Sequence, residues 1–216
     1  MARLKIAVVI SGRGSNLQAL IDSCADRSYP VEIVAVISDV PGAQGLARAE
    51  RAGIRTEVID SRGFAKRADF DAALDAGLTA SGAELVCLAG FMRLLTDGFV
   101  TKWRDRIINI HPSLLPAFPG LNTHKRVLQA GVRFTGCTVH FVRPEMDSGP
   151  IIVQAAVPVR DGDTPESLAA RVLEAEHIIY PEAVRLIALG RVRVLGDAVA
   201  IDGAAAPDTV LVNPEP

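Results

Sequence analysis

The first half of the chain alternates short apolar runs with amphipathic segments. Leu4–Ile10 is apolar except for Lys5 and rich in β-branched residues, a pattern typical of a strand buried on both faces of a parallel sheet. Residues 16–24 follow with apolar side chains at helical spacing. The same alternation predicts strands at Val31–Ser38, 56–59, 85–89 and 106–110, and helices at 43–52 and 64–81. It favours right-handed βαβ units in an α/β fold with a doubly wound, mostly parallel sheet.

The pattern changes in the second half of the chain. Residues 138–142 and 151–157 have the composition of strands, and the polar, Gly- and Pro-bearing segment 143–150 joins them. A connection this short has no room for a crossover helix, so the two strands should be antiparallel. The C-terminal half is therefore predicted to add an antiparallel strand pair to the sheet.

A long helix and a hairpin are expected to close the fold. Thr164 suits the N-cap of this helix and Pro165 its first position. Apolar residues then recur at helical spacing, and Pro181 should kink or break the helix. The hairpin is predicted at Val192–Leu195 and Ala198–Ile201.

The composition says more about the possible partners of the protein than about its fold. The chain has 216 residues, 49% of them apolar and 22% charged, with a formal net charge of -2. This balance gives no bulk electrostatic reason to expect nucleic acid or an anionic membrane as partner. The apolar run at 6–10 is too short for a signal peptide, and no run reaches the ~18–20 residues that span a bilayer. Cys24, Cys87 and Cys137 form no CxxC pair and no metal-ligand spacing, which fits a reducing compartment. We therefore expect a cytoplasmic protein.

A glycine-rich segment, Ser-Gly-Arg-Gly-Ser-Asn at residues 11–16, follows the first strand and opens the first helix. Glycines permit a sharp turn there, and a helix N-terminus offers free N–H groups to an anion. Arg13 and the hydroxyls of Ser11 and Ser15 can add donors. No GK[ST] follows, and Leu17 stands where a dinucleotide fingerprint has its third glycine. A phosphate site is favoured over a dinucleotide site or a merely structural turn.

Asn109 and His111 lie two residues apart at the carboxyl end of a predicted strand, so their side chains share one face. Ligands of open α/β sheets bind at that edge. An Asn can donate a hydrogen bond to a developing oxyanion, and a His can exchange a proton near neutral pH. A lone His is more often structural, and the pair at a strand end shifts the balance towards a catalytic site.

Asp147 supplies a carboxylate in the Gly-flanked loop between the two late strands. If that loop folds against the strand end that carries His111, the carboxylate can hold the imidazole and favour its charged form. The alternative is an ordinary aspartate of a turn.

Taken together, these motifs resemble those of a known family. The chain resembles the phosphoribosylglycinamide formyltransferases from residue 6 to about residue 201. The matching stretches are ISGRGSNLQA at 10–19, LAGFMRLL at 88–95, NIHPSLLP at 109–116 with FPG at 118–120, TVHFV at 138–142, DSGP at 147–150 and EHIIYP at 176–181.

The resemblance implies a role for individual residues. The catalytic trio falls on Asn109, His111 and Asp147. The loop for the phosphate of the substrate falls on Gly14, Ser15 and Asn16, and the acid that holds the amino end of the substrate falls on Glu176. The folate pocket falls on Arg67, Met92, Arg93, Leu94, Leu95 and Asn109, with loop 143–147 covering the pterin. The chain departs from the family at Leu173, where a polar side chain facing the nucleotide is expected.

The activity implied by the resemblance is transfer of a formyl group from 10-formyltetrahydrofolate, the co-substrate, to the amine of glycinamide ribonucleotide in de novo purine synthesis. No metal is expected, and no nucleic acid or membrane is expected as partner. The protein is expected to be a monomer or a homodimer. The alternatives are a 10-formyltetrahydrofolate hydrolase, which usually has a second histidine where this chain has Pro112, and a non-catalytic nucleotide-binding module.

The resemblance also implies how the chain is organised. Residues 1–203 are expected to form a single domain with the formyltransferase fold. Within it, residues 1–105 make the phosphate-binding half, and residues 106–203 make the catalytic and folate-binding half. Residues 204–216 are expected to form a mobile tail.

Overall fold

The structure, a computed structural model, describes residues 2–214. Its strands are β1 (Leu4–Ile10), β2 (Val31–Ser38), β3 (Thr56–Val58), β4 (Leu85–Leu88), β5 (Ile107–His111), β6 (Phe134–Phe141), β7 (Ile151–Pro158), β8 (Val192–Leu195) and β9 (Ala198–Ile201). Its helices are α1 (Ser15–Ala25), α2 (Gln44–Arg51), α3 (Arg67–Ser81), α4 (Asp97–Lys102), α5 (Thr123–Ala130) and α6 (Pro165–Ala188), with a turn of 3-10 helix at Ser61–Gly63.

Seven strands form one sheet in the order β3-β2-β1-β4-β5-β6-β7. Strands β1 to β5 are all parallel to one another, whereas β6 is antiparallel to both β5 and β7. The predicted doubly wound sheet with an antiparallel pair in the second half is therefore confirmed. The strand order reverses between β1 and β4, which is the position where open α/β sheets bind their ligands.

The core explains why residues 6–10 of β1 are all apolar. Ile6, Val8 and Ile10 pack on one face of the sheet with α1, α2 and α6. Ala7 and Val9 pack on the other face with α3 and α4. Because helices cover β1 on both sides, its buried residues have no polar face. The loop that follows the carboxyl end of β1 therefore lies between the two layers of helices.

The sequence pattern missed three features between residues 97 and 137. Strand β6 begins at Phe134 and not at residue 138, because residues 134–137 pair with residues 155–158 of β7. Helices α4 and α5 were not predicted. With six and eight residues, they are too short to show a clear apolar period.

Pro181 does not break α6, which runs without interruption from Pro165 to Ala188. The capping box of Thr164 and Ser167 confirms the predicted start of this helix. Tyr180 and Pro181 are both buried, and the Tyr29 hydroxyl donates to the Pro181 carbonyl over 2.7 Å. The burial of this segment outweighs the backbone hydrogen bond that a proline cannot make.

Helix α3 begins at Arg67, three residues later than its apolar pattern predicted. The preceding turn Ser61–Gly63 is capped by the Asp60 side chain, and Phe64 is extended and packs edge-on against Phe70 over 5.8 Å. The aromatic contact, and not helical spacing, accounts for the apolar residue at position 64. Arg67 consequently lies in the first turn of the helix and not in its middle.

Residues 204–214 contain no helix or strand. The Asn213 amide donates to the carbonyls of Arg133 and Val159 over 2.6 and 2.9 Å, so this segment returns to the start of β6 and the end of β7. Within the described residues 2–214, no helix combines the length and the apolarity needed to cross a bilayer.

Candidate active site

The glycine-rich loop closes one end of the site, between the carboxyl ends of β1 and β4. Gly14 has a φ of 69° and immediately precedes α1, so it turns the chain into the helix. A side chain is also excluded there, because a Cβ on Gly14 would lie 2.7 Å from the Cα of Gly45. The Gly45 amide donates to the Gly12 carbonyl over 3.0 Å. The close approach of α2 thus fixes the loop from behind.

Two hydrogen bonds join this loop to the turn after β4. The Ser11 amide donates to the Gly90 carbonyl over 3.2 Å, and the Met92 amide donates to the Ser11 hydroxyl oxygen over 2.9 Å. Gly90 has a positive φ of 74°, which residues with a side chain rarely adopt. The loop and the turn therefore form one continuous wall.

Asn109 and His111 lie on the same face of β5, as their spacing predicted. The His111 side chain is only 7% exposed, and its Nε2 lies 3.0 Å from the Phe118 carbonyl oxygen. Its Nδ1 lies 3.4 Å from Asp147 Oδ2. Both ring nitrogens thus face acceptor oxygens, an arrangement in which an imidazole with protons on both nitrogens makes two favourable contacts.

The turn after His111 is held by buried hydroxyl groups. Thr138 Oγ1 donates to the Ser113 carbonyl over 2.7 Å and accepts from the Leu115 amide over 3.1 Å. The Ser113 hydroxyl donates to the Ala117 carbonyl over 2.6 Å. These contacts fix the segment that presents the Phe118 carbonyl to His111.

Asp147 reaches His111 because its loop folds back over the sheet. Its backbone is left-handed, with a φ of 54°, and its Oδ2 accepts from the Gly120 amide over 2.8 Å. Two residues later, a Cβ on Gly149 would lie 1.7 Å from the Phe141 carbonyl oxygen, so only glycine fits. The structure therefore brings the three sequence-predicted side chains together. It also explains why a glycine stands two residues after Asp147 in the DSGP segment.

His140 is a fourth member of this cluster, and the sequence reasoning did not assign it a role. Its Nδ1 lies 2.9 Å from the Phe141 carbonyl and must carry the proton there, since a carbonyl only accepts. Burial lowers the pKa of His140, and the nearby Asp147 carboxylate opposes this shift more weakly. The ring is accordingly neutral, and its unprotonated Nε2 lies 3.4 Å from Asn109 Nδ2. It lies 3.8 Å from Asp147 Oδ1.

A buried polar pair lies behind the glycine loop. Asn16 Nδ2 donates to Glu176 Oε2 over 2.7 Å, and both residues are 7% exposed. Burial raises the pKa of Glu176, and the hydrogen bond from Asn16 opposes that rise. Asn16 Oδ1 is buried without a hydrogen-bond partner among the residues that the structure describes. Sequence positions 160 residues apart thus meet beside the loop, because α6 packs against α1.

Two cavities with a common wall contain most of the predicted site residues. A cavity of about 690 Å³ is lined by Met92, Arg93, Leu94, Leu95, Asn109, His111, His140 and Asp147, among others. A smaller one of about 310 Å³ is lined by residues 11–16 with Ala89, Gly90 and Met92. Gly90 and Met92 line both. Of the predicted site residues, all within the described part of the chain, Arg67 and Glu176 line neither cavity.

The signal for His140 was present in the sequence but not decisive. His140 stands in the predicted strand 138–142, where alternation places it on one face together with Thr138 and Val142. Only the antiparallel pairing of β5 with β6, which sets Asn109 opposite His140, shows that this face is the one that carries His111. Pairing register across strands distant in sequence cannot be read from either strand alone.

The structure is a doubly wound α/β protein in which a cluster of Asn, His and Asp side chains lies next to a glycine-rich loop at a helix N-terminus. A family model described as formyl transferase matches residues 4–184 of the chain. Phosphoribosylglycinamide formyltransferase of Escherichia coli (strain K12) is 43% identical over 204 residues, which cover 94% of this chain and 96% of that protein. The chain therefore belongs to the formyl transferase family and, within it, to the phosphoribosylglycinamide formyltransferases.

Two further relatives extend this result. The trifunctional purine biosynthetic protein adenosine-3 of Gallus gallus is 56% identical over 192 residues, which are 89% of this chain but only 19% of the relative. The chain thus spans about a fifth of that longer protein. The crystal structure of glycinamide ribonucleotide transformylase 1 from Symbiobacterium toebii superposes with a TM-score of 0.90 at 52% identity and covers 92% of this chain and 94% of that chain.

Proposed function

We propose that this protein transfers a formyl group from 10-formyltetrahydrofolate to the amine of glycinamide ribonucleotide, a step of de novo purine synthesis. One observation carries the proposal. The cluster of Asn109, His111, His140 and Asp147 lines the larger cavity, which shares the wall of Gly90 and Met92 with the anion-binding loop. A donor in one cavity and a phosphorylated acceptor in the other would meet beside the cluster.

The larger cavity suits the folate. Its volume of about 690 Å³ lies within the roughly 300–1,000 Å³ of small-molecule sites. Met92, Leu94 and Met146, which line it, are 69, 56 and 55% exposed, so a flat heterocycle would cover apolar surface that now faces water. Arg93, stacked over the Phe70 ring at 5.1 Å, offers a cation for the glutamate tail. Arg67 stays a prediction for the same tail, with less support than Arg93 because it does not line the cavity.

The acceptor suits the smaller cavity. The backbone amides at Gly14, Ser15 and Asn16 stand at the N-terminus of α1, where a phosphate is favoured. Glu176, which lines neither cavity and accepts a hydrogen bond from Asn16, stays a prediction for the amino end of the acceptor. We assign the phosphate to the loop and the amine to the side of the cavity that faces the cluster.

The chemistry then follows from the hydrogen bonds of the cluster. The acceptor amine attacks the formyl carbon, and negative charge grows on the formyl oxygen. One N–H of the Asn109 amide is directed to His140, which leaves the second for that oxygen. A doubly protonated His111 donates to the same oxygen once a ring nitrogen leaves its present acceptor, and Asp147 stabilises the charged ring. The bond between the formyl carbon and the folate nitrogen breaks, and the proton lost by the amine passes to that nitrogen through the Asp147 carboxylate and water.

A transfer assay tests the proposal. The purified protein is incubated with 10-formyltetrahydrofolate in the presence and absence of glycinamide ribonucleotide, and the deformylated folate and the formylated ribonucleotide are measured. The proposal expects both products in equal amounts, only with the ribonucleotide present, and almost none from His111→Ala. Formate release without an amine would identify a hydrolase instead, and no turnover in either case would leave a binding module. A cytoplasmic location and a monomeric or homodimeric state stay predictions.

A further inference from the structure

The residues that line the smaller cavity, which the glycine loop forms, carry positive charge and no negative charge. Of the residues that line it, Arg13 is the one cation and none is acidic. The first turn of α1 also contains no acidic residue. A guanidinium and the positive end of a helix dipole of eleven residues therefore face the same space without a counter-charge, which favours binding of an anion.

The backbone of Arg13 is fixed by a hydrogen bond, whereas its side chain is not. Within residues 2–214, its guanidinium makes no ion pair and no hydrogen bond, and the residue is exposed. The neighbouring Arg48 differs, because its Nε donates to the Arg13 carbonyl over 3.0 Å and its second nitrogen donates to Gln18 Oε1 over 3.2 Å. One arginine thus fixes the loop, and the other is free to contact what the loop binds.

Asn16 gives an independent indication of a ligand. It lines the same cavity, is only 7% exposed, and has a buried Oδ1 with no partner in the described part of the chain. A buried acceptor without a donor is unfavourable in an unliganded protein. The fitting ligand therefore combines an anion for the loop with a hydroxyl or amine donor for Asn16, as a sugar phosphate does.

Among the described residues, helix α6 contributes none to the lining of this cavity. Its half-buried residue at position 173 is the apolar Leu173, where the resemblance implies a polar side chain. Without a cation, the phosphate would depend on neutral donors, the backbone amides of the loop and the hydroxyls of Ser11 and Ser15.

We propose that Arg13 binds the acceptor phosphate directly and supplies the cation that the side of α6 lacks. This inference rests on the proposed function, and it adds a binding residue to it. The planar guanidinium suits the dianionic phosphate because it can donate two parallel hydrogen bonds.

The test compares Arg13→Ala, Arg13→Lys and a control, Arg27→Ala. Arg27 is an exposed arginine just beyond the opposite end of α1, so its removal makes the same change in net charge away from the loop. The KM for glycinamide ribonucleotide should rise about tenfold in Arg13→Ala, the effect of losing one exposed charge-assisted contact. The turnover number and the KM for the folate should stay near the parent values. Arg13→Lys should recover part of the affinity, and Arg27→Ala should behave as the parent.

A dephosphorylated acceptor separates a phosphate contact from a structural effect. With glycinamide riboside, which lacks the phosphate, Arg13→Ala and the parent should have the same KM. Competition by inorganic phosphate should weaken in Arg13→Ala, and the difference should shrink at high salt. An unchanged KM for the ribonucleotide, or an equal rise for the riboside, would overturn the inference. Absence of transfer by the parent protein would instead refute the proposed function, so the two failures are distinguishable.

Discussion

The glycine loop and the side-chain cluster lie on opposite sides of the same wall, but they are built differently. The loop consists of six consecutive residues, 11–16, and its donors are mainly backbone amides. The cluster takes Asn109 and His111 from β5, His140 from β6 and Asp147 from the following loop. A site made of backbone depends on local conformation. A site made of side chains depends on which strands pair and on how a distant loop folds back. Five predictions follow from this contrast and from the buried pair beside the loop.

Removing side chains from the cluster should have the largest effect. His111→Ala and Asp147→Asn should each lower turnover by roughly 10²- to 10⁴-fold, the range of acid–base and oxyanion groups. The melting temperature should change little, because both side chains lie in the cavity wall. Asp161→Asn is the matched control, since that side chain is 96% exposed and lines neither cavity. Near-normal turnover in either cluster variant would remove that residue from the mechanism.

His140 should matter less, because it acts by orienting Asn109. His140→Ala should lower turnover by about 10- to 100-fold, below the loss of a complete oxyanion donor, with little change in either KM. Adding His140→Ala to Asn109→Ala should cause almost no further loss, since the orienting group then has nothing to orient. Full additivity of the two losses in this cycle would show that His140 has a separate role.

Substitutions at two glycines of the loop should separate an effect on stability from an effect on ligand binding. Gly14→Ala forces a side chain into a positive φ and against Gly45, and should lower the free energy of unfolding by about 1–3 kcal/mol. A Cβ on Gly12 meets no atom within 4 Å, so Gly12→Ala should leave stability within about 0.5 kcal/mol of the parent. Denaturant titration measures both. Gly12→Ala should still raise the KM for the ribonucleotide several-fold by narrowing the cavity, and an unchanged KM would place the phosphate elsewhere.

The smallest expected effect is a shift in pH dependence at Glu176. Because burial raises the pKa of this carboxyl, kcat/KM for the acceptor should fall with decreasing pH already above the usual glutamate range near ~4.3. Glu176→Gln should remove this acidic limb. Asn16→Ala should move it to higher pH, since the hydrogen bond from Asn16 lowers the pKa.

The raised pKa of the Glu176 carboxyl also gives a prediction for the stability of the protein. A carboxyl whose pKa is raised on folding contributes most stability below its unfolded pKa, and that contribution is lost as the pH rises through the folded value. Glu176→Gln should therefore unfold at a higher denaturant concentration than the parent at neutral pH. An equal or lower midpoint would contradict the assigned direction.

The sequence predicted best where structure is local. The β1 strand, the glycine loop and α1 follow from adjacent residues, as do the Thr164 cap and the β8–β9 hairpin. It failed where a tertiary contact overrides a local rule. Pro181 should have interrupted α6, but the buried surface around Tyr180 and the hydrogen bond from Tyr29 hold the helix intact. The start of α3 was misplaced for the same reason, because Phe64 is apolar for its contact with Phe70.

The sequence by itself determined the fold class and the position of the glycine loop between β1 and α1, and it predicted the trio Asn109, His111 and Asp147. Only the tertiary structure decided that His140 joins them, that Asn16 and Glu176 form a buried pair, and that Arg93 lines the larger cavity while Arg67 does not. The physical reason lies in the range of the interactions. Backbone conformation and apolar periodicity are set by neighbours in the chain. Side-chain partners across strands and helices are set by register and packing, which arise only when the whole chain has folded.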